Sequence, residues 1–323
     1  MKAGLATAGE RLLVESELGW VDSLVRGAAG PELEPSTAGA SVSVRISASD
    51  AAHDTKGWEP LDRGAWQRAG EVIMRDVVGT GFDLRASTSA SGATFEYRWR
   101  PPARSRLANT VMRTRFVLLA RAALLQYPAM WWAGTRGRAP LHASVCAAAG
   151  GAPLLVGAAG VGKSTLVDAE VAAGGTATSD NLCISDGVTA WGVVEPARLP
   201  GGGERGTTHG RHEAWLARRV PALVPDRIVI LRRGESERAS VRPVDAEEAQ
   251  RMLLAGTYMA GELRRYWGFA ATLSAGTGVG PVHPPIAEVA RRLGGRLPAV
   301  ELSLARRPGA RLAGMLETLE AIA

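Results

Sequence analysis

The stretch Gly157-Ala-Ala-Gly-Val-Gly-Lys-Ser-Thr-Leu166 constrains this chain more than any other. It matches the phosphate-loop pattern G-x-x-x-x-G-K-[ST]. The apolar run PLLV precedes it and the helix-forming run STLVDAEVAA follows, so a strand enters the loop and a helix leaves it. Each residue type has a physical role. The glycines let Gly157, Ala158, Ala159, Gly160, Val161 and Gly162 turn successive N–H groups toward one anion. The helix start adds unpaired N–H groups and the positive end of its dipole. Lys163 supplies an ammonium for the terminal phosphates, Ser164 a hydroxyl ligand for Mg²⁺, and Thr165 a further loop contact. ATP and Mg²⁺ are the expected cofactors, and mixed strands and helices around such a loop predict an α/β layer fold.

With 323 residues, 46% of them apolar, the chain can bury a core. Its two cysteines, Cys146 and Cys183, lack metal-ligand spacing and exclude a disulfide scaffold. The first residues lack the apolar core of a signal peptide. The stretch from Phe116 to Trp132 is broken by Arg121, Gln126 and Pro128, which argues against a membrane span. A soluble cytoplasmic protein is expected. The net charge of +6 is carried almost wholly by arginine, since lysine occurs only at 2, 56 and 163. The arginines are scattered and not interleaved with aromatic residues, so neither nucleic acid nor membrane is expected as a partner.

Residues 1–135 read as a smaller β-rich α+β module placed to bind the acceptor, and 136–323 as the phosphate-loop unit. In the first, a short helix is expected near Leu12–Val25 and a strand at Ser41–Ser47. DAAHDTKGWEPLDRGAW reads as a polar connection, and three strands follow in GEVIMRDVV, TGFDLRAS and ATFEYRWR. A helix from Leu107 to Gln126, apolar nearly all round, is expected to be buried where the modules meet, with Trp131 and Trp132 plugging that junction. In the second, strands are expected at Thr176–Thr178, Val188–Val194 and Arg227–Leu231. Helices are expected at Ser164–Ala173, Ala246–Leu254, Met259–Leu273, Ile286–Leu293 and Ala310–Ile322. Asp245 and Glu248 form a capping box.

Phosphoryl transfer needs a carboxylate near the metal or the attacking hydroxyl. The strand RIVIL runs into Arg232-Arg233, where no acid stands, and there is no LSGGQ-like string. The first acid past the loop and its helix is Asp180, in TSDN.

His142-Ala-Ser-Val, a strand-turn-strand, GAAGVGKSTL, a helix, Gly174-Gly175 and TSDN follow one another in an order that resembles the catalytic domain of HPr serine kinase/phosphorylase. That fold belongs with the phosphoenolpyruvate carboxykinases, and the resemblance spans about Leu141 to Asp186. It implies that Asp180 is the base on the acceptor hydroxyl and lies near the metal, alongside Ser164. It implies that His142 contacts the phosphate or the aspartate, and that Lys163 is the loop lysine. The family's second aspartate is replaced by Asn181, and its E-x-R-G signature is echoed at Glu204-Arg205-Gly206. Arg-Gly before LHAS, and SDN after the loop, are similar to the HPr-kinase-like proteins that accompany peptide natural products such as lasso peptides. Some of those phosphorylate a serine of a precursor peptide.

HGRHE, residues 209 to 213, offers Arg211, with Arg205 behind it, as a charge stabiliser. A solvated helix start is the alternative, and His209 with His212 is a weak metal pattern. In GTYMAGELRRYWGFAA, helical spacing places Tyr258, Glu262 and Arg265 on one face, either packed or lining a pocket. Cys183 reads as core; His53 and His283 suggest no role. The functional expectation is an ATP- and Mg²⁺-dependent kinase acting on a hydroxyl, foremost a serine of a peptide or protein. A kinase of a small hydroxylated metabolite such as free serine, and a nucleotide-binding regulator without transfer, stay open, as does a homo-oligomer.

Overall fold

In the computed structural model, Ala8 and Gly9 both adopt positive φ, 57° and 73°. They close a two-residue hairpin between β1 (Lys2–Thr7) and β2 (Glu10–Ser16). The structure describes residues 1–36, 38–49, 51–147, 150–201, 211–306, 311–312 and 314–315. The helix expected from Leu12 therefore starts later, as α1 (Gly19–Ala29). Residues 10–16 alternate buried and half-buried, the period of a strand.

The described helices continue with α2 (Ala103–Val111), α3 (Arg113–Arg121), α4 (Tyr127–Gly134), α5 (Lys163–Ala172), α6 (Ala246–Tyr258), α7 (Tyr266–Thr277) and α8 (Ile286–Arg296). The chain is mixed α/β and divides into two compact units. One comprises Met1–Gly137 with Arg265–Pro284, the other Arg138–Arg264 with Pro285–Ala323. No described helix is long and apolar enough to cross a membrane.

The first unit adds β3 (Leu33–Glu34), β4 (Val42–Ala48), β5 (Glu59–Asp62), β6 (Ala65–Arg68), β7 (Glu71–Met74), β8 (Phe82–Ser89) and β9 (Gly92–Trp99). They form one sheet in the order β3-β1-β2-β4-β9-β8-β7-β6-β5. The stretch expected as a polar connection contains β5 and β6, whose largely solvated positions mask the strand pattern. The single helix expected from Leu107 is broken at Met112, which leaves the helical region at φ −104°, ψ 46°. Residues 122–126 then form a π turn before α4. Far from being buried, α2 is mostly solvent-exposed. Trp131 packs inside its own unit, edge-on to Phe95, and its indole N–H donates to Ser274 Oγ at 3.0 Å. The helix expected from Met259 begins only at Tyr266, so Tyr258, Glu262 and Arg265 share no helix face.

The second unit comprises β10 (Ala139–Leu141), β11 (Ala143–Ala147), β12 (Pro153–Val156), β13 (Thr176–Ala177), β14 (Cys183–Ser185) and β15 (Ala190–Gly192). It continues with β16 (Ala197–Pro200), β17 (Arg211–Ala214), β18 (Ala222–Leu223), β19 (Arg227–Arg233), β20 (Ser240–Val244) and β21 (Ala299–Leu304). Its main sheet runs β13-β11-β12-β19-β21-β20, with β12, β19 and β21 parallel. PLLV and Ile228–Leu231 are buried throughout, as parallel strands covered on both faces require. Leu166, Val167 and Val171 of α5 join Leu155, Val229 and Leu302 in one core. A second sheet runs β10-β14-β15-β18, and β16 and β17 pair as a ribbon. A Cβ at Gly192 would meet the Thr178 carbonyl oxygen at 1.8 Å. Only glycine lets β15 press against the backbone leading to Asp180. Asp245 caps α6 as expected, its Oδ1 accepting the Glu248 N–H at 2.7 Å, while the Glu248 carboxylate turns to Arg242. The helix expected at Ala310–Ile322 lies mostly outside the described residues.

Candidate functional site

Strand β12 ends at Val156 and α5 begins at Lys163, so residues 157–162 form the loop between them. Gly160 and Gly162 take φ of 76° and 123°, conformations closed to most L-residues. A Cβ at Gly157 would lie 2.9 Å from the Leu231 carbonyl oxygen, so glycine also lets the loop pass close to β19. The loop opens onto a cavity of about 280 Å³. Ala159 to Thr165, Asp180, Asn181, Arg198, Arg233 and Glu262 line it.

Lys163 is only 4% exposed. Its ammonium donates to the Gly157 carbonyl at 2.9 Å and lies 3.2 Å from His142 Nε2. Burial pushes its pKa down to about 8, against the pull of Asp180, Glu262 and Glu195. His142 sits between β10 and β11. Its backbone N–H donates to Thr257 Oγ1, and Nδ1 lies 3.2 Å from the Gly256 carbonyl. Burial, and then the Lys163 charge, hold the imidazole below its ordinary pKa, so the ring is neutral. With Nδ1–H donated to Gly256, Nε2 keeps a lone pair for the Lys163 ammonium. Asn181 Oδ1 lies 2.8 Å from the same nitrogen and accepts from it in the other tautomer, Nε2–H, which leaves no lone pair for the Lys163 ammonium.

Asp180 is 2% exposed. Two hydrogen bonds hold the segment after β13 against β11: Ser144 Oγ to the Ser179 carbonyl, and Thr178 N–H to the Val145 carbonyl at 2.9 Å. Asp180 Oδ2 accepts the Arg198 N–H at 3.2 Å, while Oδ1 is buried and unpaired among the described residues. Burial raises the carboxyl pKa; the adjacent Ser164 hydroxyl, Arg198 and Lys163 draw it back. The structure thus brings His142, Lys163, Ser164 and Asp180 into one place.

Arg211 opens β17, a strand and not the start of a helix, and its side chain lies outside the described residues, as do Glu204, Arg205, Gly206 and His209. Three lining residues escaped the sequence reading in whole or part. Arg198 pairs with Glu262 Oε1 at 2.8 Å, and Arg233 donates to the Gly160 carbonyl at 2.6 Å. Arg233 had registered only as the missing acid after RIVIL. Glu262 reaches the site from a turn after α6, not from a helix face. No local pattern marks Arg198, because the fold of the β16 ribbon places it.

No protein-family model matches this chain, and no curated protein sequence matches it.

The donor set suits a hard cation. The Ser164 hydroxyl and the Asp180 carboxylate offer oxygen donors, direct or through water, of the kind Mg²⁺ takes from a protein when phosphate and water supply the rest. Among the described residues no three His, Cys, Asp or Glu side chains cluster as a metal cage.

The depressed Lys163 pKa has a stability consequence of known sign. Between about pH 8 and 10.5 the unfolded chain holds a proton that the folded chain has released. Stability of the ligand-free chain therefore rises with pH across that window, by a contribution on the order of 3 kcal/mol when complete. Below it, the cost of burying the ammonium is fully present. Urea unfolding at about pH 7.5 and about pH 9.5 checks this. Wild type should gain stability more steeply than Lys163→Met, and equal slopes would remove the buried ammonium from the account.

Proposed function

We propose that the second unit is a kinase of the HPr kinase/phosphoenolpyruvate carboxykinase type. It would transfer the γ-phosphoryl group of ATP to a hydroxyl, foremost a serine of a peptide or protein. One observation carries the reading: the buried Asp180 carboxylate, with a free oxygen, shares a cavity with Lys163 and the Ser164 hydroxyl. A structural glycine turn needs no such acid.

ATP bound with Mg²⁺ would supply an activated phosphoryl group whose charge the metal partly neutralises. The N–H groups of residues 157–165 hold the phosphates. Ser164 would hold the metal directly and Asp180 through a water, which leaves Oδ1 open to the acceptor hydroxyl. Asp180 Oδ1 accepts the proton of the acceptor hydroxyl. Lys163, Arg198 and Arg233 offset the charge of the transferring group. His142, neutral, holds the Lys163 ammonium in line through Nε2. Asn181 at the place of a second aspartate favours one metal over two. The free thiols of Cys146 and Cys183 suit the cytoplasm.

Intact-mass analysis tests the reading. The full chain, ATP and Mg²⁺ are incubated with serine-containing peptides or with free serine. Gain of one phosphoryl group by a peptide supports the proposal. Transfer to free serine alone would replace the acceptor class. Tight ATP binding without transfer to any acceptor would point to a nucleotide-dependent regulator.

A further inference from the structure

The sequence holds no aspartate or glutamate between Glu96 and Asp168. That acid-free run contains α2 and α3 of the first unit. Two features coincide there. Leu107 and Val111, one helical turn apart, are 68% and 77% exposed, and Met112 beside them is 46% exposed. Arg106, Arg113 and Arg115 are also exposed. Among the described residues no carboxylate pairs with them. Arg106 Nε donates to the Pro101 carbonyl, and Arg115 meets the Met112 sulfur. Some exposed arginines elsewhere do carry carboxylate partners: Arg242 pairs with Glu248 and Glu301, Arg251 with Glu247, and Arg292 with Glu288.

A cleft of about 540 Å³ adjoins α2 and is lined by Arg75, Trp99, Arg100 and Arg106. Its two aspartates are already engaged: Asp83 by Arg100, and Asp76 by the Gly81 N–H. Its three arginines outnumber its two aspartates by one charge, so the cleft is slightly positive beside the helix.

We propose that α2 and the start of α3 form a docking surface for an acidic segment of a partner polypeptide. Its apolar side chains cover Leu107, Val111 and Met112, and its carboxylates face Arg106, Arg113 and Arg115. The chemistry favours a peptide over other anions. A nine-residue helix with two exposed apolar side chains, and Met112 just beyond its end, is poorly suited to a membrane surface. A nucleic acid would leave Leu107 and Val111 uncovered. Charge complementarity at the rim of such a surface steers encounter, while the apolar centre holds the complex. The inference does not depend on phosphoryl transfer by the other unit.

The test uses the full chain and a fluorescein-labelled synthetic helical peptide with a leucine stripe flanked by glutamates. A scrambled peptide of the same composition and vesicles of phosphatidylcholine with phosphatidylglycerol serve as comparisons. Fluorescence anisotropy should show saturable binding that weakens with added salt. Arg113→Glu with Arg115→Glu, and separately Leu107→Asp with Val111→Asp, should each weaken it by about tenfold or more. The scrambled peptide should bind at least about fivefold less well than the amphipathic one, since it cannot cover the apolar ridge. Circular dichroism and ATP binding, which these exposed positions should leave unchanged, show that the variants are folded. Equal affinity in wild type and both variants, equal affinity for the scrambled peptide, or no saturable binding would each overturn the proposal. So would flotation of the protein with the vesicles in the absence of peptide binding.

Discussion

Lys163→Ala is expected to raise the dissociation constant for MgATP by roughly ten- to a hundredfold, the effect of losing charge-assisted hydrogen bonds worth about 1.5–3 kcal/mol. Phosphoryl transfer should fall to background. In the ligand-free chain the ammonium is held by the Gly157 carbonyl and faces His142 Nε2, so it is already oriented over the loop. Its side chain is buried, and the charge is maintained against desolvation by Asp180, Glu262 and Glu195. A phosphate entering the cavity takes over that compensation. A neutral alanine leaves the phosphate oxygens with backbone N–H partners alone. Isothermal titration with MgATP measures the first effect.

The same substitution has a second readout. The Lys163 charge is one of the two causes that depress the His142 pKa. Its removal should shift the imidazole titration upward, and proton NMR of the ring can follow that shift. Because a buried ammonium is costly, the variant should unfold no more easily than wild type near neutral pH. Unchanged MgATP affinity together with an unmoved His142 titration would show that the ammonium does not face the cavity.

What could be read in advance from the amino acids follows a physical line. The loop, PLLV and RIVIL were legible because the constraint is local: glycines at strained φ, a continuous apolar run, a helix start. Asp180 was reachable through order along the chain, since the segment after β13 is bonded to β11 close to the loop. The Ala8-Gly9 hairpin went unread because alanine at positive φ carries no turn signal of its own. Strand β5 and its neighbour β6 were hidden by half-solvated edges, where polar residues replace the alternation. The break at Met112 has no proline or glycine to announce it. Arg198 and Glu262 meet across 64 residues, and only the tertiary fold brings them to the same cavity wall.

Asp180→Asn is expected to lower the rate of transfer by about 10²–10⁴-fold, the span associated with loss of a positioned general base. MgATP affinity should change far less than in Lys163→Ala. The amide is nearly isosteric with the carboxylate and can still accept the Arg198 N–H at 3.2 Å, so the segment and the ribbon stay in place. What it cannot do is take a proton at the position of Oδ1, which no other group occupies among the described residues. The pH profile separates this from a structural effect. Transfer requires the ionised carboxylate, and burial lifts its pKa above the usual value. The wild-type rate should therefore fall as pH is lowered through the titration of that carboxylate in the MgATP complex. The residual rate of the asparagine variant should lack that acidic limb. Single-turnover measurements across the acid range, with saturating MgATP, make the comparison. Full activity in the asparagine variant would transfer the role of base to Glu262, the other carboxylate lining the cavity, which would first have to leave its ion pair with Arg198.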